Sequence, residues 1–308
     1  MIKWPVIVAL KAALPTHRLV WLAGRRRSVF AGPLAGLASG VIDEVRDAAG
    51  VGIAWSELLR KAYPGAFDII IATEPKLRSA LVLRRIRHRV FISPAFDFRL
   101  SHRRPANAYP GSAFEQFRTL ATLAAERELD IDCTLEPGEP YTSVAATLLP
   151  GNAGYVGFAP GSAGARKRWP LDRFIELARV QSAAGRTPVF FLGPEEISIV
   201  EALRSALPDA LFPEQAQAAA GHGPLLSIAL ARRLDGAVAN DAGGGHLLAA
   251  GGRGLITLFG HTNPEKFKPP YGTRIAITAR DFGGTTMDAI PVSAVAAALE
   301  RLLGQRAA

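Results

Sequence analysis

Two doubly wound α/β domains are predicted from three observations. A β-α rhythm runs twice along the chain, a Pro- and Gly-rich stretch separates the two runs, and loops of small residues follow strands in the second run. With 308 residues, 49% of them apolar, the chain is long enough to bury a core in each of two domains of ordinary size. Such alternation argues for parallel sheets with helices on both faces. The boundary is placed in "EPGEPYTSVAATLLPGNAG", residues 136–154. This gives domains 1–150 and 151–308 facing each other across a cleft, with the last helix a candidate to return to the first domain.

The elements follow in order. "MIKWPVIVALKAALP" reads as a helix with Ile2, Val6, Leu10 and Ala13 along one side. "RLVWLA" (18–23) is a strand, "SVFAGPLAGLAS" a helix, "IDEVR" a short strand, "FDIIIAT" (67–73) a buried strand, and "LRSALVLRRI" a helix before the strand "RVFIS". In the second half "YVGFAP" (155–160), "TPVFFLG", "GAVAND" and "GLITLFG" are strands. The helices between them are "LDRFIELARVQSAAG", "EISIVEALRSAL" and "GHLLAAGG". The closing helix "PVSAVAAALERLLGQ" has Pro in its first turn and an apolar stripe of Val295, Ala298, Leu299 and Leu302. A doubly wound domain ordinarily opens with a strand, whereas this chain opens with a helix. Either the first domain has an unusual topology or the chain starts downstream of that strand; the second reading is adopted.

Composition excludes several classes. The apolar stretches near 187–192 and 247–259 are too short, or too broken by Gly and Arg, to span a membrane. The N-terminus lacks the unbroken apolar core of a signal peptide. The single Cys133 rules out an internal disulfide framework and fits a reducing, cytoplasmic compartment. Lying in "DIDCTLEP" among acidic residues, it reads as a passive small hydrophobe. Net charge is +9, and Arg84, Arg85, Arg87, His88, Arg89, Arg99, His102, Arg103 and Arg104 concentrate it in the first half. That balance suits an anionic partner such as a phosphorylated substrate or a membrane surface, and it equally suits a solvated basic face. No aromatic interleaving and no zinc or helix-turn-helix pattern points to nucleic acid. The six histidines have no paired ligand spacing, so no metal is expected. No G-x-G-x-x-G follows an early strand, which argues against a dinucleotide cofactor.

Three loops carry the candidate site. In "NDAGGGHLLAAGG", Asp241 falls at a strand end and Gly243, Gly244 and Gly245 open the next helix. Bare amides backed by a helix dipole suit phosphate oxygens, and the same glycines suit close helix–sheet packing. Asp241 is placed to cap that helix, and His246 to donate to a phosphate or ribose. In "APGSAGARKRWP", Gly161, Ser162, Ala163 and Gly164 are small enough for main-chain amides to converge on an anion, and Lys167 adds a cation. In "FFLGPEE", Glu195 or Glu196 is placed to accept from ribose hydroxyls, and either also favours a helix N-terminus.

"PGSAGARKRWPLDRFIELA", "FFLGPEE" and "NDAGGGHLLAAGGRGLITLFGHTNP", in this order and spacing, resemble the glycosyltransferase family 9 heptosyltransferases, which build the inner core of lipopolysaccharide. The resemblance covers nearly the whole chain and is specific in its second half. It implies a GT-B architecture of two Rossmann-like domains with the active site between them. The implied reaction is a metal-independent, inverting transfer of heptose from ADP-heptose to an anionic, lipid-anchored acceptor at the inner leaflet, without a cofactor. Carried over by position, Gly161, Ser162 and Lys167 would hold the diphosphate, with Lys167 stabilising it as it leaves. Glu195 or Glu196 would hold the ribose, and Asp241, Gly243, Gly244 and His246 the diphosphate and sugar. Two departures stand out. The family's last motif usually has a hydroxyl residue where this chain has Ala242, and its acidic general base lies in a loop that would precede Met1. Glu44, Asp68, Glu74 and Asp97 are acidic and N-terminal, and none is assigned as the base. A GT-B transferase or epimerase with another nucleotide-sugar, and an inactive nucleotide-sugar-binding remnant, stay open as alternatives.

Overall fold

The structure is a computed structural model that describes residues 1–305 except Arg26, Asn152, Ala153 and Ala163. Its contacts divide the chain into residues 2–132 and residues 133–308 together with Met1.

In the first unit α1 (Trp4–Ala13) has Pro5 in its first turn, where the missing amide costs nothing, and buries Trp4, Val6, Ile7, Ala9 and Leu10. It leads into β1 (Val20–Leu22). The segment read as one helix, 28–39, is instead a 3-10 turn at Val29–Ala31 followed by the single-turn α2 (Ala35–Ala38). Gly32 and Pro33 interrupt the backbone ladder there. Next come β2 (Glu44–Arg46), β3 (Ala66–Ile71), α3 (Leu77–Arg84), β4 (Arg87–Ile92) and α4 (Ala113–Ala125). The strands form two parallel pairs. β1 runs beside β2 with Val20 opposite Glu44, and β3 beside β4 with Ile71 opposite Ile92.

The second unit contains α5 (Tyr141–Leu148), β5 (Tyr155–Ala159), α6 (Leu171–Ala183), β6 (Thr187–Phe190), α7 (Val200–Ala206) and α8 (Gly223–Ala231). It continues with β7 (Gly236–Asn240), α9 (Gly243–Ala250), β8 (Gly254–Phe259), α10 (Pro264–Phe267), β9 (Arg274–Thr278) and α11 (Val292–Gly304). Its five strands are all parallel, in the order β6-β5-β7-β8-β9. The chain winds outward from β5 to β6, then returns to the far side of β5 for β7. The order therefore reverses between β5 and β7. Every residue of β5, β7 and β8 is buried, as expected of a parallel sheet covered on both faces. Phe158 stacks on Phe190 at 5.2 Å, and Trp169 meets Phe174 edge-on at 5.0 Å. The apolar stripe of α11 lies in this same core, against α6, β7 and β8. Among the described residues no helix is long and apolar enough to cross a membrane.

Candidate donor site

In open α/β sheets ligands bind beyond the carboxyl ends of the strands, in the crevice where strand order reverses. Here that crevice lies between the loops after β5 and β7, which carry two of the three sequence-predicted motifs. One residue joins them. Asn240, fully buried at the end of β7, donates from Nδ2 to the Pro160 carbonyl at 2.7 Å and accepts at Oδ1 from the Trp169 amide at 3.1 Å. The β5 loop is pinned at both ends by one side chain. Trp169 is locked in turn, its indole N–H reaching the Ile290 carbonyl at 3.0 Å.

Lys167 and Asp241, 74 residues apart, meet above this clamp. Lys167 Nζ lies 2.7 Å from Asp241 Oδ2 and 3.4 Å from the Asp241 carbonyl. Thr262, from the loop after β8, donates to the same Oδ2 at 2.9 Å. The Asp241 side chain is 7% exposed and that of Lys167 32%, so the cation faces outward from a sheltered carboxylate. Asp241 was expected to cap α9. Ala242 is the cap residue, without a side-chain bond, and the Asp241 carboxylate is taken up by Lys167 and Thr262. The first amides of α9 are thus left to other acceptors.

The three glycines divide their work. A Cβ on Gly245 would lie 2.9 Å from the Asn240 carbonyl and 3.2 Å from the Ala239 Cβ, so this glycine lets α9 sit directly on β7. Gly244 would make ordinary contact with the Ala159 Cβ at 3.4 Å, and Gly243 faces open space. His246 lies one turn in. Burial pushes its pKa down to about 4, so the ring is neutral at pH 7, and its Nδ1 is buried without a hydrogen-bond partner. A void of about 10 Å3 bordered by Asp241, His246 and Thr257 lies beside it, room for at most a single water.

The β6 loop closes on the same crevice. The Gly193 amide donates to Glu196 Oε2 at 3.0 Å, and that carboxylate lies where a Cβ on Gly161 would sit, at 2.6 Å. Glu195 is exposed. Ser162 is buried, and its carbonyl accepts from Arg168 Nε at 2.8 Å. Ala163, another small residue expected to line this loop, lies outside the described residues. The structure therefore brings Gly161, Lys167, Glu196, Asp241, Gly243, Gly244 and His246 to the carboxyl edge of one sheet.

A protein-family model covers most of the chain. The model described as glycosyltransferase family 9 (heptosyltransferase) matches residues 55–286. This chain belongs to glycosyltransferase family 9. Lipooligosaccharide heptosyltransferase 2 of Haemophilus influenzae is 30% identical over 149 residues, 47% of this chain and 43% of that protein, so the match spans less than half of the relative's length. A glycosyl transferase family 9 structure from Veillonella parvula has TM-score 0.70 at 18% identity, covering 99% of this chain and 93% of the other. E. coli heptosyltransferase WaaC, solved with ADP-2-deoxy-2-fluoro heptose, has TM-score 0.65 at 18% identity, covering 97% and 95%. These neighbours, each 18% identical, share a GT-B family 9 fold with this chain.

Sequence reasoning missed three residues. Asn240 was read as the end of a strand, though a lone Asn closing "GAVAN" is a polar group in an otherwise buried run and must find partners there. Thr262 carried no signal. Glu214, beside the β6 loop, is a buried carboxyl whose pKa burial raises and which accepts from the Ser227 hydroxyl, while the neighbouring Gln215 donates to the Leu192 carbonyl at 2.9 Å. The four acidic residues of the first half singled out in the sequence do not stand out as bases. Glu44 is bonded to Arg46, which holds its pKa below the usual carboxylate range. Asp68 pairs with Arg89 and Glu74 with Lys76, and Asp97 is exposed on a left-handed turn.

Proposed function

We propose that this family 9 glycosyltransferase moves a heptose, with inversion, from ADP-heptose to an anionic, lipid-anchored acceptor of the lipopolysaccharide inner core. The observation that carries the donor side is the Lys167–Asp241 pair at the switch point, with open space at the Gly243 Cβ position at the start of α9. A diphosphate there takes the amides of Gly243 and Gly244 and the small-residue loop at Gly161 and Ser162, and Lys167 neutralises the charge that grows as the sugar leaves. Glu196, already fixed by the Gly193 amide, turns its other oxygen to the ribose, and Glu195 favours the helical turn that follows. Neutral His246 donates one N–H to the phosphate or sugar.

Residues 1–150 serve the acceptor and 151–308 the donor. The exposed Arg84, Arg87, Arg89, Arg99 and Arg104 attract a phosphorylated acceptor and the anionic surface of the inner leaflet. Arg85 and Arg103 have local duties, donating to the Glu57 and Arg60 carbonyls and to those of Leu123 and Ala124. The heptosyl reading is supported by the curated relative's name and by the ligand in the WaaC structure. A second reading, donor binding without transfer, is favoured by the cationic partners of Glu44, Asp68 and Glu74. The test is calorimetric titration with ADP and with ADP-heptose, followed by a transfer assay on deacylated inner-core acceptor. Transfer supports the main reading. ADP binding without transfer favours the second, and no ADP binding overturns both.

A further inference from the structure

Three consecutive residues of the first unit take a backbone conformation that L side chains rarely adopt. In the loop after β4, Phe96, Asp97 and Phe98 have φ of 54°, 51° and 57°. A left-handed backbone crowds Cβ against the following carbonyl, and glycine, asparagine or aspartate usually occupies it. Here two of the three residues are phenylalanine.

The surroundings hold this loop at both ends. On the way in, the Ser93 amide donates to Ser101 Oγ at 2.6 Å, and that hydroxyl donates to the Ser93 carbonyl at 3.1 Å. On the way out, the His102 amide donates to the Phe91 carbonyl at 2.9 Å, and His102 Nδ1 accepts from the Phe91 amide at 2.7 Å. Ala95 packs into a small core with Ala72, Ala80 and Phe91, which roots the loop at the carboxyl ends of β3 and β4. Phe98 is buried and meets Tyr109 edge-on at 5.1 Å. Packing therefore accounts for one of the two phenylalanines.

Phe96 has no such return, because it is 57% exposed. The Arg99 guanidinium lies over its ring, 4.9 Å from the centre. Arg99 is exposed as well, and among the described residues it has no ion pair. A backbone under strain persists where the fold over-determines it, and such residues cluster at ligand contacts. The carboxyl ends of strands are also where ligands of α/β sheets bind. An open ring beside a free guanidinium suits a pyranose that bears a carboxylate or phosphate. The C–H face of the sugar is apolar and slightly positive, matching the electron-rich face of an aromatic ring. The anionic group suits the planar fork of arginine. A bilayer suits the loop less well, because Asp97, exposed beside Phe96, would be carried to the lipid with it.

We propose that Phe96 and Arg99 form an acidic-sugar subsite of the first unit, with Phe96 as the stacking platform and Arg99 as the anion contact. Resting on the acceptor reading of the first unit, this subsite takes the acceptor's sugar ring and leaves its lipid to other residues.

The experiment titrates the full 308-residue protein with deacylated inner-core acceptor, followed by NMR, with ADP calorimetry and urea unfolding on the same samples. In the parent protein, C–H protons of the bound sugar are expected to shift upfield under the Phe96 ring current. Phe96→Tyr should bind nearly as well as the parent. Phe96→Asn should bind roughly tenfold more weakly and lose the upfield shift. It should unfold no more easily, because asparagine tolerates the left-handed backbone. Arg99→Ala should weaken binding roughly tenfold, with Arg99→Lys restoring part of it. ADP affinity should be unchanged in every variant. Phe96→Asn binding like the parent, or losing affinity only in step with stability, would overturn the subsite. So would a loss of binding to phosphatidylglycerol vesicles in Phe96→Asn with its saccharide affinity intact, which assigns the ring to the membrane. Acceptor bound equally by the parent and Phe96→Asn refutes the subsite alone, whereas acceptor bound by neither refutes the acceptor reading with it.

Discussion

Replacing Asn240 by Ala tests the architecture of the donor site most directly. The side chain is fully buried and satisfies two main-chain groups on the β5 loop, the Pro160 carbonyl at 2.7 Å and the Trp169 amide at 3.1 Å. Truncation strands both. A buried group left without a partner costs about 1–3 kcal/mol, and the amide is the dearer because the carbonyl tolerates under-satisfaction better. The expected loss is about 2–5 kcal/mol when the two are combined. For a unit of 150–250 residues each kcal/mol is worth about 2–4 °C, so the thermal midpoint of the second unit should fall by roughly 4–20 °C. Urea unfolding followed by circular dichroism gives the free energy, and ADP titration below the midpoint shows whether the loosened loop still binds. Asn240→Asp should be nearly as damaging, because it keeps an acceptor for Trp169 and sets an oxygen against the Pro160 carbonyl. A loss under about 1 kcal/mol in Asn240→Ala, with ADP affinity intact, would refute the claim that one side chain sets both loops.

The glycines offer a paired test. Gly245→Ala forces a Cβ to within 2.9 Å of the Asn240 carbonyl and should cost about 1–3 kcal/mol in urea unfolding. Gly243→Ala meets open space and should leave stability level while weakening ADP binding in calorimetry. Lys167→Ala should weaken ADP binding at least tenfold, with Lys167→Arg recovering part of it. Because the sheltered Asp241 carboxylate keeps Thr262 as a donor but loses its cation, some stability is lost as well, and a stability loss with ADP affinity intact would make the lysine structural. His246 is neutral in the fold, with its pKa near 4 against an ordinary value of about 6.5. Between those values the unfolded chain binds the extra proton, so stability falls as pH drops from about 6.5 toward 4. A His246→Gln variant, compared across that range by thermal melts, should flatten this part of the profile.

How far the sequence could be read depended on contrast. β5, β7 and β8 announce themselves as short, wholly apolar runs between Gly and Pro, and the structure buries every residue of them. α8 escaped notice for the opposite reason. "PLLSIALA" is buried on nearly all sides, so no polar face marks a helical period. β9, "RIAIT", is an edge strand whose first three residues are part-exposed, and its pattern merges with the loop before it. α4, with its amphipathic stripe at Phe117, Leu120, Ala121 and Ala124, is not among the predicted elements although its pattern is clear. The three candidate loops stand out in the sequence as small residues after strands, a pattern that suits anion binding and close packing alike, and Gly245 serves the packing. The pairing of Lys167 with Asp241 was not, since it depends on β5 and β7 being neighbours, a fact of topology rather than of local pattern. The helical opening of the chain was legible from its apolar spacing, and α1 (Trp4–Ala13) bears it out.

The Lys167–Asp241 contact bears on turnover as well as on grip. An ammonium with no internal counter-ion would hold a nucleoside diphosphate more firmly after the sugar had gone, because departure would leave the charge without an ionic partner. Asp241 keeps a berth open at 2.7 Å. The lysine is exchanged between carboxylate and phosphate rather than bared, so part of the attraction that draws the donor in is cancelled when the spent nucleotide leaves. On the proposed function, this trade limits product inhibition, and the aspartate acts on the release step through a residue it never gives up for long.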